Sequence, residues 1–366
     1  MPGTAKLRKD AGHSSTGNGP GPAARAGLQP RRSMTLPWIP LIAAPLAAAL
    51  SAGLILRLMP LLRRYALARP NARSSHVVPT PQGGGIAVVT ALVTVSGLLA
   101  GAPEVGPREV WTWLAGCTLA LAVLGAVDDL RPLPALPRLA VQILVVGLLV
   151  SHLDGRLVPE IPLWLERALA TLAGLWFVNL TNFMDGLDWM TVAEIVPVSA
   201  ALVLFGLAGT LPLLPTLVAA SLLGAILGFA PFNRPVAGLF LGDVGSLPVG
   251  LVTAWLLWHL AATGGFAAAL LLPLVYLADA SLTLAARARR RERVWEAHRS
   301  HFYQRATVNG LTVRGVVGRV FLANLALAGL AAASVVWPSW PVSLAALAAG
   351  GGVVALLLRR FAGIAS

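Results

Sequence analysis

The chain has 366 residues, 57% of them hydrophobic against 12% charged, and a formal net charge of +13. Uncharged apolar stretches repeatedly exceed the roughly 18 residues that a membrane-spanning helix needs, which excludes a soluble globular protein and marks an all-α, polytopic membrane protein. The positive charge does not imply nucleic acid: the basic groups lie in loops beside apolar spans, where membrane lipids with anionic headgroups are the nearer partner, and no nucleic-acid motif accompanies them.

Residues 1–33 are rich in Gly, Pro, Ala and Ser and carry Lys6, Arg8, Lys9, Arg25, Arg31 and Arg32 without apolar periodicity, so they read as a disordered basic tail. No apolar core follows within them, which excludes a signal peptide. Met34 stands just before the first apolar stretch. The expectation is that Met34 is the natural start, or that the tail is dispensable, with residues 34–366 forming one integral membrane domain.

Uncharged stretches at 33–56, 74–103, 110–127, 139–153 and 168–184 supply one span each, and longer ones at 195–233, 244–278 and 320–358 supply two each, about eleven transmembrane helices. The short stretch at 139–153 needs its flanks to cross. Short cytoplasmic loops collect Lys and Arg. If the first helix enters from outside, Arg57, Arg63, Arg64, Arg131, Arg138, Arg234 and the basic residues from Arg287 to Arg319 all fall on the cytoplasmic side. Arg108, Arg156 and Arg167 are left opposite. This orientation predicts a multi-pass protein of the inner (cytoplasmic) membrane. The single cysteine, Cys117, lies in an apolar run and reads as a packing residue.

Five polar segments interrupt the apolar chain, all on that predicted cytoplasmic side. Residues 71–85 hold Arg73, Ser74, Ser75, His76 and the run Gly83-Gly84-Gly85, a combination suited to gripping phosphate. Asp128-Asp129 end the third span; so close a pair repels unless it shares a cation or proton, so it reads either as a metal or proton-transfer site or as a charged helix end stopping at the interface. In the segment 179–188, Asn179, Asn182 and Asp185 recur at intervals of three and would line one helical stripe, with Gly186 allowing a turn and Asp188 following. A polar ligand site and a helix cap both fit that stripe.

Further on, Asn233-Arg234-Pro235 leads to Gly242-Asp243-Val244-Gly245-Ser246 at the start of another span. Small residues around an acid at a helix start leave backbone N–H groups open to an anion, while the acid can hold a divalent cation between phosphates; an ordinary turn is the alternative. Asp279, among apolar residues at the end of the ninth span, is costly there and reads equally as a structural pair or as support for a site. The last large loop carries five arginines from Arg287 to Arg293, which read as topology signals, followed by His298, Arg299, His301, Tyr303, Gln304 and Arg305. His298 and His301 are spaced for a zinc pair, but no cysteine or carboxylate set completes one, so an anion is their expected partner.

These five segments, in this order over 34–360, look like those of the polyprenyl-phosphate N-acetylhexosamine-1-phosphate transferase family, glycosyltransferase family 4. The resemblance implies transfer of a sugar 1-phosphate from a UDP-N-acetylhexosamine to undecaprenyl phosphate, with release of UMP and with magnesium, or manganese in its place, as cofactor. It implies Asp243 as metal ligand and Asp128 with Asp129 as the catalytic acids on the lipid-phosphate side. It also implies that His76, Asn179, Asn182, Asp185, Asp188, His298, Arg299, His301 and Arg305 bind substrate. The pattern departs at Gln82, where many relatives have arginine, at Trp189, where glycine is common, and at Pro132, where some have a third aspartate. The loop lacks the three consecutive histidines of the cell-wall precursor enzyme and looks more like members that start O-antigen or related surface polysaccharides. A transporter of a phosphorylated or lipid-linked substrate is the alternative. It would place its polar groups and broken helices near the bilayer midplane rather than at one surface.

Overall fold

The computed structural model describes residues 38–68, 79–153, 155–293 and 298–363, all within one compact unit, Leu36–Ser366. The basic tail, Met34 and the candidate residue His76 lie outside the described residues.

Among the described residues the chain is helical apart from one short antiparallel pair, β1 (Leu67–Ala68) with β2 (Thr80–Pro81). Six helices are long and apolar enough to cross a membrane: α1 (Trp38–Tyr65), α3 (Arg108–Leu130), α6 (Met190–Leu207), α8 (Asp243–Ala262), α12 (Val313–Val336) and α13 (Trp340–Phe361). Three more are apolar but shorter: α2 (Gly84–Leu99), α4 (Ala135–Ser151) and α7 (Leu213–Phe229). The helix α5 (Leu163–Met184) and the broken pair α9 (Phe266–Leu271) and α10 (Leu274–Arg289) occupy the remaining positions where the apolar pattern calls for spans. A short α11 (Phe302–Val308) sits in the last large loop. The ninth segment is not continuous because Pro273 falls between its halves, and proline cannot donate to the helix ladder and crowds the carbonyl a turn earlier. The uncertain fourth span recruits its upstream flank, starting at Ala135, to reach 17 residues, about 25 Å at 1.5 Å per residue.

Helix α8 is the centre of the bundle: 78% of its apolar window is buried, against 28% for α13. It is flanked by α3 and α5, with α2 and α9 also against it, while α7 packs on α1, α2 and α6, and α12 on α6 and α13. Where α2 meets α8 the backbones touch; a Cβ on Gly85 would lie 2.3 Å from the Gly245 Cα, so only glycine allows this approach. The loop before α8 also joins the start of α2 as a short ladder, with Gly84 and Gly85 N–H donating to the Phe240 and Leu241 carbonyls (2.9 and 2.8 Å).

One polar pair is wholly interior. Asn324 of α12 donates its amide to Glu194 of α6 (2.7 Å) and to the Ala193 carbonyl (3.0 Å), and both side chains are at most 1% exposed. With no water to replace it, such a bond holds two apolar helices in register. Replacing Asn324 by leucine strands the Glu194 carboxyl and the carbonyl together. The Asn324→Leu variant is expected to lose on the order of 1–2 kcal/mol, read as a lower thermal midpoint in detergent; an unchanged midpoint would show that the pair is energetically idle.

Candidate active site

The ends of α3 and α5, the starts of α4, α6 and α8, the first half of α10, and α11 come together at one end of the bundle. Asp129 sits at the last turn of α3 and faces the first turn of α8: its Oδ1 accepts from the Asp243 N–H (2.9 Å) and its Oδ2 from the Val244 N–H (3.0 Å). The N–H groups at this helix start, expected to stay open for an external anion, are thus taken by a carboxylate of the chain itself. Gly242 makes that contact fit. Its φ of 78° is left-handed, and a Cβ there would come within 2.6 Å of Asp129 Oδ2.

Asp128 turns the other way. Its Oδ2 pairs with Arg138 Nη1 (2.7 Å) and its Oδ1 accepts from the Leu133 N–H (2.6 Å). The same Arg138 nitrogen stands 3.7 Å from Asp243 Oδ2, so one guanidinium from α4 spans the two acids. Asp243 Oδ1 accepts from Asn182 Nδ2 (2.7 Å), which also donates to Ser246 Oγ (2.9 Å). Asp243 Oδ2 thus faces Arg138 and the Asp128 carboxyl, and the Asp243 side chain is 26% exposed. Among the described residues no three His, Cys, Asp or Glu side chains form a ready metal cage. The donor set instead fits magnesium shared between one carboxylate and substrate phosphates, a common arrangement for this ion.

The expected stripe 179–188 divides. Asn179 donates to Gln142 Oε1 of α4 (2.8 Å), Asn182 to α8, and Asp185, just past the end of α5, accepts from the Thr191 hydroxyl of α6. The spacing of three is present, but the helix ends at Met184 and its three polar residues serve three neighbouring helices. Asp188 is buried and accepts from the Ala237 N–H (2.9 Å), which anchors the loop before α8. Burial, followed by repulsion from Asp129 and Asp188, pushes Asp185 up to about 7 despite the Thr191 hydrogen bond.

Trp189 does occupy a glycine-like position, with φ of 62°, costly for a side chain of this kind. Two hydrogen bonds hold it: its N–H to Asn233 Oδ1 (2.7 Å) and its Nε1 to the Ala230 carbonyl (2.6 Å). Gln82 donates to the Asp129 carbonyl (3.1 Å) and so buttresses the acids from within. The Gly84 and Gly85 N–H groups are spent on the ladder, while Arg73, Ser74, Ser75 and His76 of the same segment lie outside the described residues.

Asp279 of α10 is 1% exposed and gathers four donors: the Thr283 hydroxyl (3.3 Å), His301 Nδ1 (3.0 Å) and the N–H groups of Phe302 (3.0 Å) and Tyr303 (2.9 Å). The His298 ring lies 4.8 Å from that of His301, and Arg299 is exposed. Arg305 is engaged with the Ala362 carbonyl at the end of α13. Sequence reasoning passed over Gln142 and Thr191, used Arg138 only for orientation and named Tyr303 only within the run of the last loop; Arg138, close after the acidic pair, carried a readable signal.

Fold and site together define a multi-pass α-helical membrane protein with a carboxylate cluster at one end of its bundle. The glycosyl transferase family 4 profile matches residues 111–261, a stretch that holds Asp128, Asp129, Asp185, Asp188 and Asp243. The decaprenyl-phosphate N-acetylglucosaminephosphotransferase of Mycobacterium tuberculosis is 33% identical over 213 residues, 52% of this chain and 53% of that protein. The phospho-N-acetylmuramoyl-pentapeptide-transferase of a Synechococcus species is 31% identical over 237 residues, 57% of this chain and 67% of the relative. The alignments span about half the length of the mycobacterial relatives. The chain belongs to glycosyl transferase family 4.

An acid held protonated by its surroundings favours the folded state at low pH. For Asp185 that advantage is complete below the unfolded carboxylate value and disappears as pH rises through about 7. The Asp185→Asn variant is therefore expected to have a higher thermal midpoint than the parent above pH 7, with the difference shrinking toward pH 5. A difference independent of pH would refute the assigned shift.

Proposed function

We propose that the protein transfers an N-acetylhexosamine 1-phosphate from a UDP-sugar to undecaprenyl phosphate, releasing UMP, at the cytoplasmic face of the inner membrane. This would be the first membrane step of O-antigen or another surface polysaccharide. The observation that carries the reading is the partly exposed Asp243 carboxyl beside the Asp128–Arg138 pair, within the segment that matches the family. Support for the substrate class comes from relatives named for a polyprenyl phosphate and for amino-sugar phosphates.

The acceptor phosphate has its second pKa at roughly 6 and is mostly dianionic at neutral pH, so the difficulty lies in bringing it to an anionic diphosphate. Arg138 is placed to reduce that repulsion, since a guanidinium binds phosphate in the same forked geometry as carboxylate. An acceptor oxygen attacks the sugar-bearing phosphorus in line, forming one P–O bond as the bond to UMP breaks. Magnesium bound at Asp243 would stabilise charge on the diphosphate and the departing UMP. Asn182 orients Asp243 for that task, and Asp128 serves the acceptor side as a proton acceptor paired with Arg138.

Purified protein incubated with undecaprenyl or decaprenyl phosphate, magnesium and a panel of UDP-sugars is expected to release UMP with UDP-GlcNAc or a 6-deoxy relative such as UDP-FucNAc or UDP-QuiNAc. Turnover with the muramoyl-peptide donor alone would refute the donor choice, and no turnover with any donor would favour the transporter. In the same assay Asp243→Asn should abolish UMP release while the protein still inserts and folds; near-normal release in magnesium would remove Asp243 from the metal site.

A further inference from the structure

The last turn of a helix leaves carbonyl groups without intrahelical partners, and at α5 those carbonyls belong to the residues that carry Asn182 and lead into Asp185. One of them, the Phe183 carbonyl, accepts from the Tyr303 hydroxyl at 2.9 Å across 120 residues of sequence. The Gly186 amide also meets the phenol oxygen, and a Cβ on Gly186 would lie 2.2 Å from it. The phenol is therefore lodged in the turn between Asn182 and Asp188. Tyr303 is fully buried. Burial, followed by the nearby Asp279 and Asp185, holds its hydroxyl well above 10, so it remains a donor throughout the physiological range.

What fixes Tyr303 is Asp279. Its Oδ2 accepts from the Tyr303 N–H and its Oδ1 from the Phe302 N–H, so this carboxylate sets the start of α11. Both oxygens already accept from backbone, which makes His301 Nδ1 the proton donor of its 3.0 Å bond to Asp279. The chain of contacts runs from α10 through Asp279 to α11, through Tyr303 to the end of α5, and through Asn182 to Asp243.

We propose that Tyr303 and Asp279 are positioning residues for the transfer reaction. Tyr303 holds the 183–186 turn so that Asn182 aligns Asp243, and Asp279 holds Tyr303, which couples the 298–305 loop to the acidic cluster. This rests on the transferase reading given above. Neither residue touches the reacting atoms. Their effect falls on alignment, where a displacement of about 1 Å can lower a rate a hundredfold.

The test is Tyr303→Phe, which removes one hydroxyl and keeps the ring. The expected result is a kcat for UMP release lower by about tenfold to a hundredfold, with the KM for the UDP-sugar within error of the parent and a modestly lower thermal midpoint, because the Phe183 carbonyl and Gly186 amide lose their partner. Amide hydrogen exchange at 183–188 should quicken in the same variant. Asp279→Asn should show the same kinetic split, and the double variant should be no worse than the more impaired single one, because both act through one contact. Unchanged kcat, or kcat, KM and midpoint falling together, would reduce Tyr303 to a packing residue. If the parent releases no UMP with any donor the transferase reading fails, and exchange at 183–188 still decides the contact: unchanged exchange overturns the inference.

Discussion

The start of α8 carries N–H groups that no helix can satisfy internally, and it is buried at the end of an apolar bundle. Asp129 supplies the acceptors for two of them, from a helix more than a hundred residues earlier in the chain. Hydrogen bonds to a charged group contribute roughly 1.5–3 kcal/mol each, and here they also dictate geometry. With Asp129 against the helix end, Gly242 must be glycine, the loop before it must follow the start of α2, and the Asp243 side chain must point outward. The placement of Asp243 beside Asp128 and Arg138 is a consequence of where Asp129 sits.

Crowding Asp128, Asp129, Asp185 and Asp243 at one end of a membrane bundle is costly, because each carboxylate raises the charging energy of the others. The structure meets each in a different way. Arg138 answers Asp128, helix N–H groups answer Asp129, Asn182 answers one oxygen of Asp243, and Asp185 is left to bind a proton near neutrality. A cluster of this kind gives up stability to hold charge in place, a trade expected where function conflicts with packing.

Outside the cluster the bundle uses polar groups sparingly. Glu194 with Asn324 tie α6 to α12, and Asp279 organises the turn into α11. Asp279 had two equal readings from sequence, structural pairing or support of a site. Its three bonds to the His301–Tyr303 segment show that pairing is its immediate role, and the link from Tyr303 to α5 carries that pairing to the acids.

The apolar spans, their number and the polar segments between them could be read directly from the chain, because a bilayer imposes its thickness and its intolerance of charge on local composition. Asp128, Asp129 and Asp243 were legible for the same reason: carboxylates beside apolar runs are too costly to be incidental. Asn179, Asn182 and Asp185 were legible as a stripe, but helical periodicity says nothing about which neighbour each will face, and only the packing of α4, α6 and α8 around α5 separates them. Gln142 and Thr191 stayed silent and Tyr303 was visible only as one member of the 298–305 run, since an amide, a hydroxyl and a phenol in a membrane helix or loop have many ordinary uses. What selects one use is a partner brought close by tertiary structure. The sequence by itself determined a membrane bundle with acids at its surface; the fold alone decided which of those acids caps a helix, which meets an arginine and which is oriented by Asn182, because those assignments depend on contacts between residues distant along the chain.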